Sequence, residues 1–227
     1  MANIAEPSCP TGKELSSSIA HFSLRGRHEV NQDSFFIDIA TGVMAVADGV
    51  GSSRTPEKAS KLAIEMASQV LSAATDKVAA LARAIDSADR EVSAQYGGAS
   101  ETTLDIVAIC GDRCHAAHVG DGRVYRISGA GIKQLTADHK DSSGCIFRVL
   151  GGTICSRPDK IVEPLEPNDY VVLCSDGVFK ELSDHELESM VLASNGNLES
   201  AMSEIKARLV NRTDDATMIL YRHPEML

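Results

Sequence analysis

Apolar positions along the chain follow two periods, and the period switches in blocks. Short apolar or alternating runs at "IAHFSL" (Ile19–Leu24), "SFFIDI" (Ser34–Ile39) and "VMAVA" (Val43–Ala47) predict three strands. Helical spacing follows: Ala59, Leu62, Ala63, Met66 and Val70 share one face, behind a Thr55-Pro56-Glu57 opening that offers a cap, a first-turn proline and an acid at the positive dipole end. A second helix runs through Val78, Leu81, Ala82, Ile85 and Val92 and breaks at Gly97-Gly98. Strands resume at "TLDIVAIC", "CHAAHV", "RVYRI" and "GIKQL", joined by glycine-containing turns.

From Thr136 the pattern goes quiet. A polar stretch with Gly151-Gly152 and several prolines is too long for a plain connection, which predicts a flap over about residues 137–167. After the strand in "DYVVLCSDG" come two helices. Ser183 with Glu186 forms a capping box, and Leu198, Met202, Ile205 and Leu209 trace an apolar stripe. "ATMILYR" is the last strand. Blocks of strands and helices, rather than strict alternation, predict an α+β fold with packed antiparallel sheets. Residues 1–16 read as a loose N-terminal tail, and 17–223 as a single domain.

Three apolar runs end on Asp-Gly: Asp48-Gly49, Asp121-Gly122 and Asp176-Gly177. Asp-Gly is a strong hairpin signal because both residues accept positive φ. A hairpin needs a second strand straight after the turn, and only Asp121-Gly122 has one, in "RVYRI". The other two lead into a loop or a helix. Asp33, Asp48, Asp121, Asp176 and Asp214 each stand at the edge of an apolar segment. Singly, each is a fair cap or turn residue. Together they are a candidate oxygen-ligand set for a hard divalent cation.

Composition narrows the function classes. The 227 residues suit one large domain, with 43% hydrophobic and 24% charged content. Aromatics are only 4% and tryptophan is absent, so the core must rest on Val, Ile, Leu, Ala and Met. A net charge of −10 argues against nucleic acid and anionic membrane as partners. The N-terminus lacks signal-peptide character and no segment has the roughly 20 apolar residues of a membrane span, so a cytoplasmic protein is expected. The six cysteines do not make a disulfide scaffold; Cys110, Cys155 and Cys174 sit in or beside apolar runs as small hydrophobes. "CGDRCHAAH" offers Cys110, Cys114, His115 and His118 to zinc, but reads better as two strands around a Gly111-Asp112 turn.

Read in order, seven stretches resemble the metal-dependent Ser/Thr protein phosphatases of type 2C, in their minimal bacterial form. They are "NQDS" (Asn31–Ser34), "ADGVG" (Ala47–Gly51), "ETTLDIVAI" (Glu101–Ile109), "HVGDGRVYRI" (His118–Ile127), "LTADH" (Leu135–His139), "VVLCSDGVF" (Val171–Phe179) and "DDATMIL" (Asp214–Leu220). The resemblance implies two packed antiparallel β-sheets flanked by helical pairs. It also implies two Mn²⁺ or Mg²⁺ ions, with Asp48 bridging them, the Gly49 carbonyl on the second, Asp176 and Asp214 completing the first, and Asp33 holding metal-bound water, either as a ligand itself or from just outside the ligands. Asp121 matches an aspartate used for a third, weaker metal near the flap. The implied reaction is hydrolysis of phosphoserine or phosphothreonine by direct attack of water, opposing a bacterial Ser/Thr kinase. The implied partner is a phosphorylated protein, either the kinase or its target, and a monomer is expected.

The chain departs from the pattern at three places. An arginine that binds substrate phosphate is usual five residues before the first aspartate; here that position is His28, beside Arg27, and either is a candidate phosphate contact. Gln32 replaces a frequent glutamate, and Val50 stands where animal members carry a histidine. These departures motivate a second hypothesis, a weak or inactive phosphoprotein-binding module of the same fold. A third is a phosphoesterase for small molecules.

Overall fold

The computed structural model describes residues 18–152 and 157–225; the expected 1–16 tail and Cys155 lie outside them. Two five-stranded antiparallel sheets stack face to face. The first has the order β1 (Ile19–Leu24), β10 (Ala216–Arg222), β9 (Tyr170–Cys174), β6 (Arg123–Ser128), β7 (Gly131–Gln134). The second runs β2 (Asp33–Asp38), β3 (Val43–Asp48), β4 (Leu104–Cys110), β5 (Arg113–Val119), β8 (Asp159–Pro164).

Strand alternation sorts the core into three layers, because successive side chains point to opposite faces. In β3, Met44 and Val46 face the other sheet, whereas Val43, Ala45 and Ala47 face helices. β9 and β10 repeat the device: Val171, Leu173, Ile219 and Tyr221 fill the space between sheets, and Val172, Cys174, Met218 and Leu220 face outward under helices. Strands buried on both faces must read as nearly unbroken apolar runs. α1 (Pro56–Ala73) and α2 (Lys77–Tyr96) cover the second sheet with small residues, Ala59, Ala63, Ala80, Ala84 and Ala88. α4 (Asp184–Ala193) and α5 (Leu198–Arg208) cover the first through Leu187, Val191, Met202 and Ile205. The result is the expected α-β-β-α sandwich. Four aromatics, Phe22, Tyr125, Tyr170 and Tyr221, do join the aliphatic core.

Three local readings change. Thr55 stands at the N-cap of α1, but its hydroxyl bonds Ser100 Oγ at 2.8 Å and makes no cap hydrogen bond. The quiet segment 137–167 is not all loop: β8 pairs with β5 from Arg113↔Pro164 to His118↔Asp159, so its second half is a sheet edge. A single helical turn, α3 (Asp176–Phe179), comes directly after β9, before α4 and α5. The Ser183–Glu186 capping box forms as expected, and α2 ends on Gly97 with φ +56°. Cys114 packs between the sheets, and His118 bonds Asp105 at 2.5 Å. No helix among the described residues is long and apolar enough to cross a membrane.

Candidate active site

Antiparallel pairing brings the predicted aspartates to one end of the sandwich. Asp33, the first residue of β2, is register partner to Asp48, the last of β3. Asp176 follows β9 and Asp214 precedes β10, and these two strands are neighbours. Asp121 lies where the chain leaves β5 in one sheet and enters β6 in the other, a crossing made with Gly120 at φ +121°. Here the Asp-Gly pair is a passage between sheets and not a hairpin. Asp48, Gly49, Asp121, Asp176 and Asp214 line one hollow of about 150 Å³ with His28, Gln32, Thr103, Ile146 and Lys180. Larger hollows lie along α2, but they share a single carboxylate, Asp86, set among arginines.

The backbone around these groups is fixed. Thr103 Oγ1 accepts from the Asp48 N–H at 2.9 Å, the Thr103 N–H donates to the Asp48 carbonyl at 2.8 Å, and Thr102 Oγ1 donates to the same carbonyl at 2.9 Å. Both threonines belong to "ETTLD", so that stretch acts by clamping Asp48. A Cβ on Gly49 would lie 2.3 Å from the Pro56 carbonyl oxygen, and one on Gly177 only 2.0 Å from that of Asp215. The glycines after two of the aspartates are therefore required for backbone packing. Ser175 Oγ donates to Asp33 Oδ2 at 2.7 Å and accepts from the Thr217 N–H at 2.9 Å, tying β9, β10 and β2 together.

The electrostatics are those of carboxylates forced together. Burial, then the charges of Asp33, Asp176, Asp121 and Asp214, raise the Asp48 pKa well above the usual range. Burial lifts Asp33 to about 7, against the lowering effect of its Ser175 and Thr217 hydrogen bonds. Burial also raises Asp176, partly offset by Lys180. Asp214 is less buried; burial pushes its pKa up, but the Lys180 hydrogen bond and charge outweigh it and hold the group below its ordinary value. Asp33 Oδ1 and Asp176 Oδ1 are buried without a hydrogen-bond donor. An ionised carboxylate left so is costly unless a cation meets it. This all-oxygen set, with orphaned atoms and mutual repulsion, fits hard divalent ions.

Sequence reasoning missed four residues. Lys180 Nζ bridges Asp176 Oδ2 at 2.7 Å and Asp214 Oδ2 at 2.8 Å; its place four residues after Asp176, on a short helical turn, was the available signal. Lys140 Nζ pairs with Asp121 and stands 3.7 Å from Asp176. Asp215, 2% exposed in its side chain, accepts from the N–H groups of Gly26 (2.6 Å) and Gln32 (2.7 Å) and from His28 Nδ1 (3.1 Å). His28, Asp214 and Asp215 also place ligand-type atoms within 4.8 Å of one another, but both Asp215 oxygens are taken by these donors, so its role is to hold His28. Arg123 chelates Asp138 and lies 3.9 Å over the Phe179 ring, locking three of the quoted stretches together. Of the two phosphate candidates, His28 lines the hollow, whereas Arg27 is exposed and does not line it.

The protein phosphatase 2C family model matches residues 23–217. The serine/threonine phosphatase stp of Listeria monocytogenes is 25% identical over 209 residues, covering 78% of this chain and 83% of that protein. Among solved structures, the catalytic domain of the serine threonine protein phosphatase PstP, in complex with two manganese ions, superposes with a TM-score of 0.75 at 26% identity, over 90% of this chain and 97% of that one. Stp1 from Staphylococcus aureus gives 0.83 at 19% identity, over 99% and 100%, a likeness of fold. With the carboxylate cluster and the sandwich in place, these matches settle the family: the chain belongs to the protein phosphatase 2C family and is a protein phosphatase.

Proposed function

We propose that the clustered carboxylates hold two divalent cations, Mn²⁺ or Mg²⁺, and that the protein hydrolyses phosphoserine and phosphothreonine on partner proteins at that site. The observation that carries this reading is the convergence of Asp33, Asp48, Asp176 and Asp214 from four strand ends, with two buried oxygens lacking donors. Asp48, with the other carboxylates around it, would serve both ions, and the Gly49 carbonyl the second. Asp176, Asp214 and Asp33 would supply the rest. Bound there, the ions provide a nucleophile at neutral pH and neutralise the phosphate. The two manganese ions of the PstP domain support a pair.

The chain's own groups bind and orient. His28, fixed through Nδ1 by Asp215, presents its other ring nitrogen as a phosphate contact. Lys180 balances Asp176 and Asp214 with its ammonium and, half-exposed, can turn to substrate phosphate when ions take those carboxylates. Thr103 holds the Asp48 backbone against the pull of a ligand. Cys174, two residues before Asp176, is not placed as a nucleophile: it faces the helix-covered core, where burial drives its thiol pKa up. In this reading water attacks phosphorus directly. Substrates are phosphoproteins of the kind a bacterial Ser/Thr kinase makes, the kinase included, and the enzyme acts as a cytoplasmic monomer.

The test is phosphate release from a phosphothreonine peptide with manganese, then with EDTA, beside Asp176→Asn. Release that needs metal and falls at least about a hundredfold in the folded variant is expected, since one ligand of a transition-state charge clamp is lost. Equal rates in wild type and Asp176→Asn would sink the assignment. Nucleotides and sugar phosphates run in parallel decide between protein and small-molecule substrates.

A further inference from the structure

Asp121 resembles the ligand of a third ion, yet the structure gives its buried carboxylate a cation from the chain itself. Lys140 Nζ pairs with Asp121 and stands 3.7 Å from Asp176 Oδ2. The backbone enforces this proximity. The His139 N–H donates to the Gly120 carbonyl at 2.8 Å, and the Gly120 N–H donates to His139 Nδ1 at 3.0 Å, so the residues just before Lys140 and Asp121 are stitched together twice. Lys140 is further set by its bridge with Ile146 and by the Phe147 N–H donating to the His139 carbonyl at 2.9 Å. The Lys140 side chain is 24% exposed and the Asp121 side chain 2%. Lys180, by contrast, is 47% exposed and free to leave its carboxylates.

We infer that the Lys140 ammonium is a built-in cation occupying the Asp121–Asp176 gap, so that Asp121 is a positioning residue for Lys140 and not a metal ligand. The inference rests on the two-ion reading above. A divalent ion at Asp121 would have to expel an anchored ammonium or sit against its positive charge. The chain then needs two ions where three carboxylate positions are offered, and its metal demand saturates when the paired site is full.

Manganese titration by calorimetry, with free Mn²⁺ counted by electron paramagnetic resonance, reads this without any assay of turnover. Wild type should bind two ions per chain. Lys140→Ala, and Lys140→Met as a longer neutral replacement, should bind three, and Lys140→Met with Asp121→Asn should return to two. Circular dichroism identifies a misfolded variant, and either Lys140 replacement suffices. Three ions in wild type, or two in both folded Lys140 variants, would overturn the inference. No bound manganese in wild type would overturn the two-ion reading itself, and this inference with it.

Discussion

His28 is the most informative single residue, because it combines a departure from the family pattern with a defined anchor. Its imidazole is held by Asp215, which is held in turn by two backbone N–H groups; the ring is set before substrate arrives. Preorganised donors act without reorganisation cost. His28→Ala should raise KM for a phosphopeptide roughly tenfold, about 1.4 kcal/mol, the scale of one hydrogen bond to a charged group. Manganese affinity should stay unchanged, and Arg27→Ala should leave KM alone. Steady-state kinetics with a metal titration decide it; equal effects of the two variants would remove His28 from the phosphate site. His28 was legible in the chain by its spacing from Asp33. Asp215 was not, since its partners Gly26, His28 and Gln32 lie almost two hundred positions away in sequence.

At the scale of elements, strand ends and the turns beyond them do the placing. β9 and β10 deliver Asp176 and Asp214 side by side only because Gly177 lets α3 sit directly on the Asp215 backbone. Gly177→Ala would force a methyl to within 2.0 Å of a main-chain oxygen that cannot rotate away. Overpacking of this kind costs about 1–3 kcal/mol, so the melting temperature should fall by roughly 2–12 °C. Gly129→Ala is the control, since a Cβ there meets nothing within 4 Å. Scanning calorimetry of both checks the prediction, and equal melting points would refute the close-approach argument. The strands and helices themselves were largely readable, because most keep one pattern over five or more residues. β8 is the exception: in "DKIVEP" two charged residues precede two apolar ones, so the strand carries no period of two, and it lies at a sheet edge. The Thr55 cap failed for a related reason, as Ser100 from a distant loop competes for the hydroxyl.

For the whole molecule, gathering carboxylates makes stability depend on pH and metal together. Asp33 titrates at about 7 in the fold against 3.8 when unfolded, and Asp48 and Asp176 are shifted the same way. A carboxyl with a raised folded pKa binds more protons folded than unfolded between the two values, so raising pH through that window withdraws stability. In EDTA the melting temperature should therefore fall from about pH 4 to pH 7. Asp214, shifted down, opposes this at the acid end, and His115, His139 and His223, whose pKa values burial lowers, oppose it toward neutral pH by a smaller amount than the clustered carboxylates contribute. Manganese should raise the melting temperature, and more at pH 7 than at pH 5, because the ion binds the deprotonated cluster; at a hundred times Kd the gain is about 2.7 kcal/mol. Differential scanning fluorimetry across pH, with and without manganese, tests this. A flat profile in EDTA would contradict the crowded-carboxylate picture.

By itself the sequence determined the fold class, the order of most elements and the aspartates that the fold gathers at one end. These depend on local period and on short stretches whose order survives even where their partners are unknown. Only the tertiary structure decided who meets whom. It put His28 rather than Arg27 in the hollow, made Asp215 its anchor, set Lys180 between Asp176 and Asp214, and placed Lys140 against Asp121. The physical reason is that charge pairing depends on distance in space. Antiparallel register and the crossing from β5 to β6 bring together groups whose separation along the chain carries no trace of their contact.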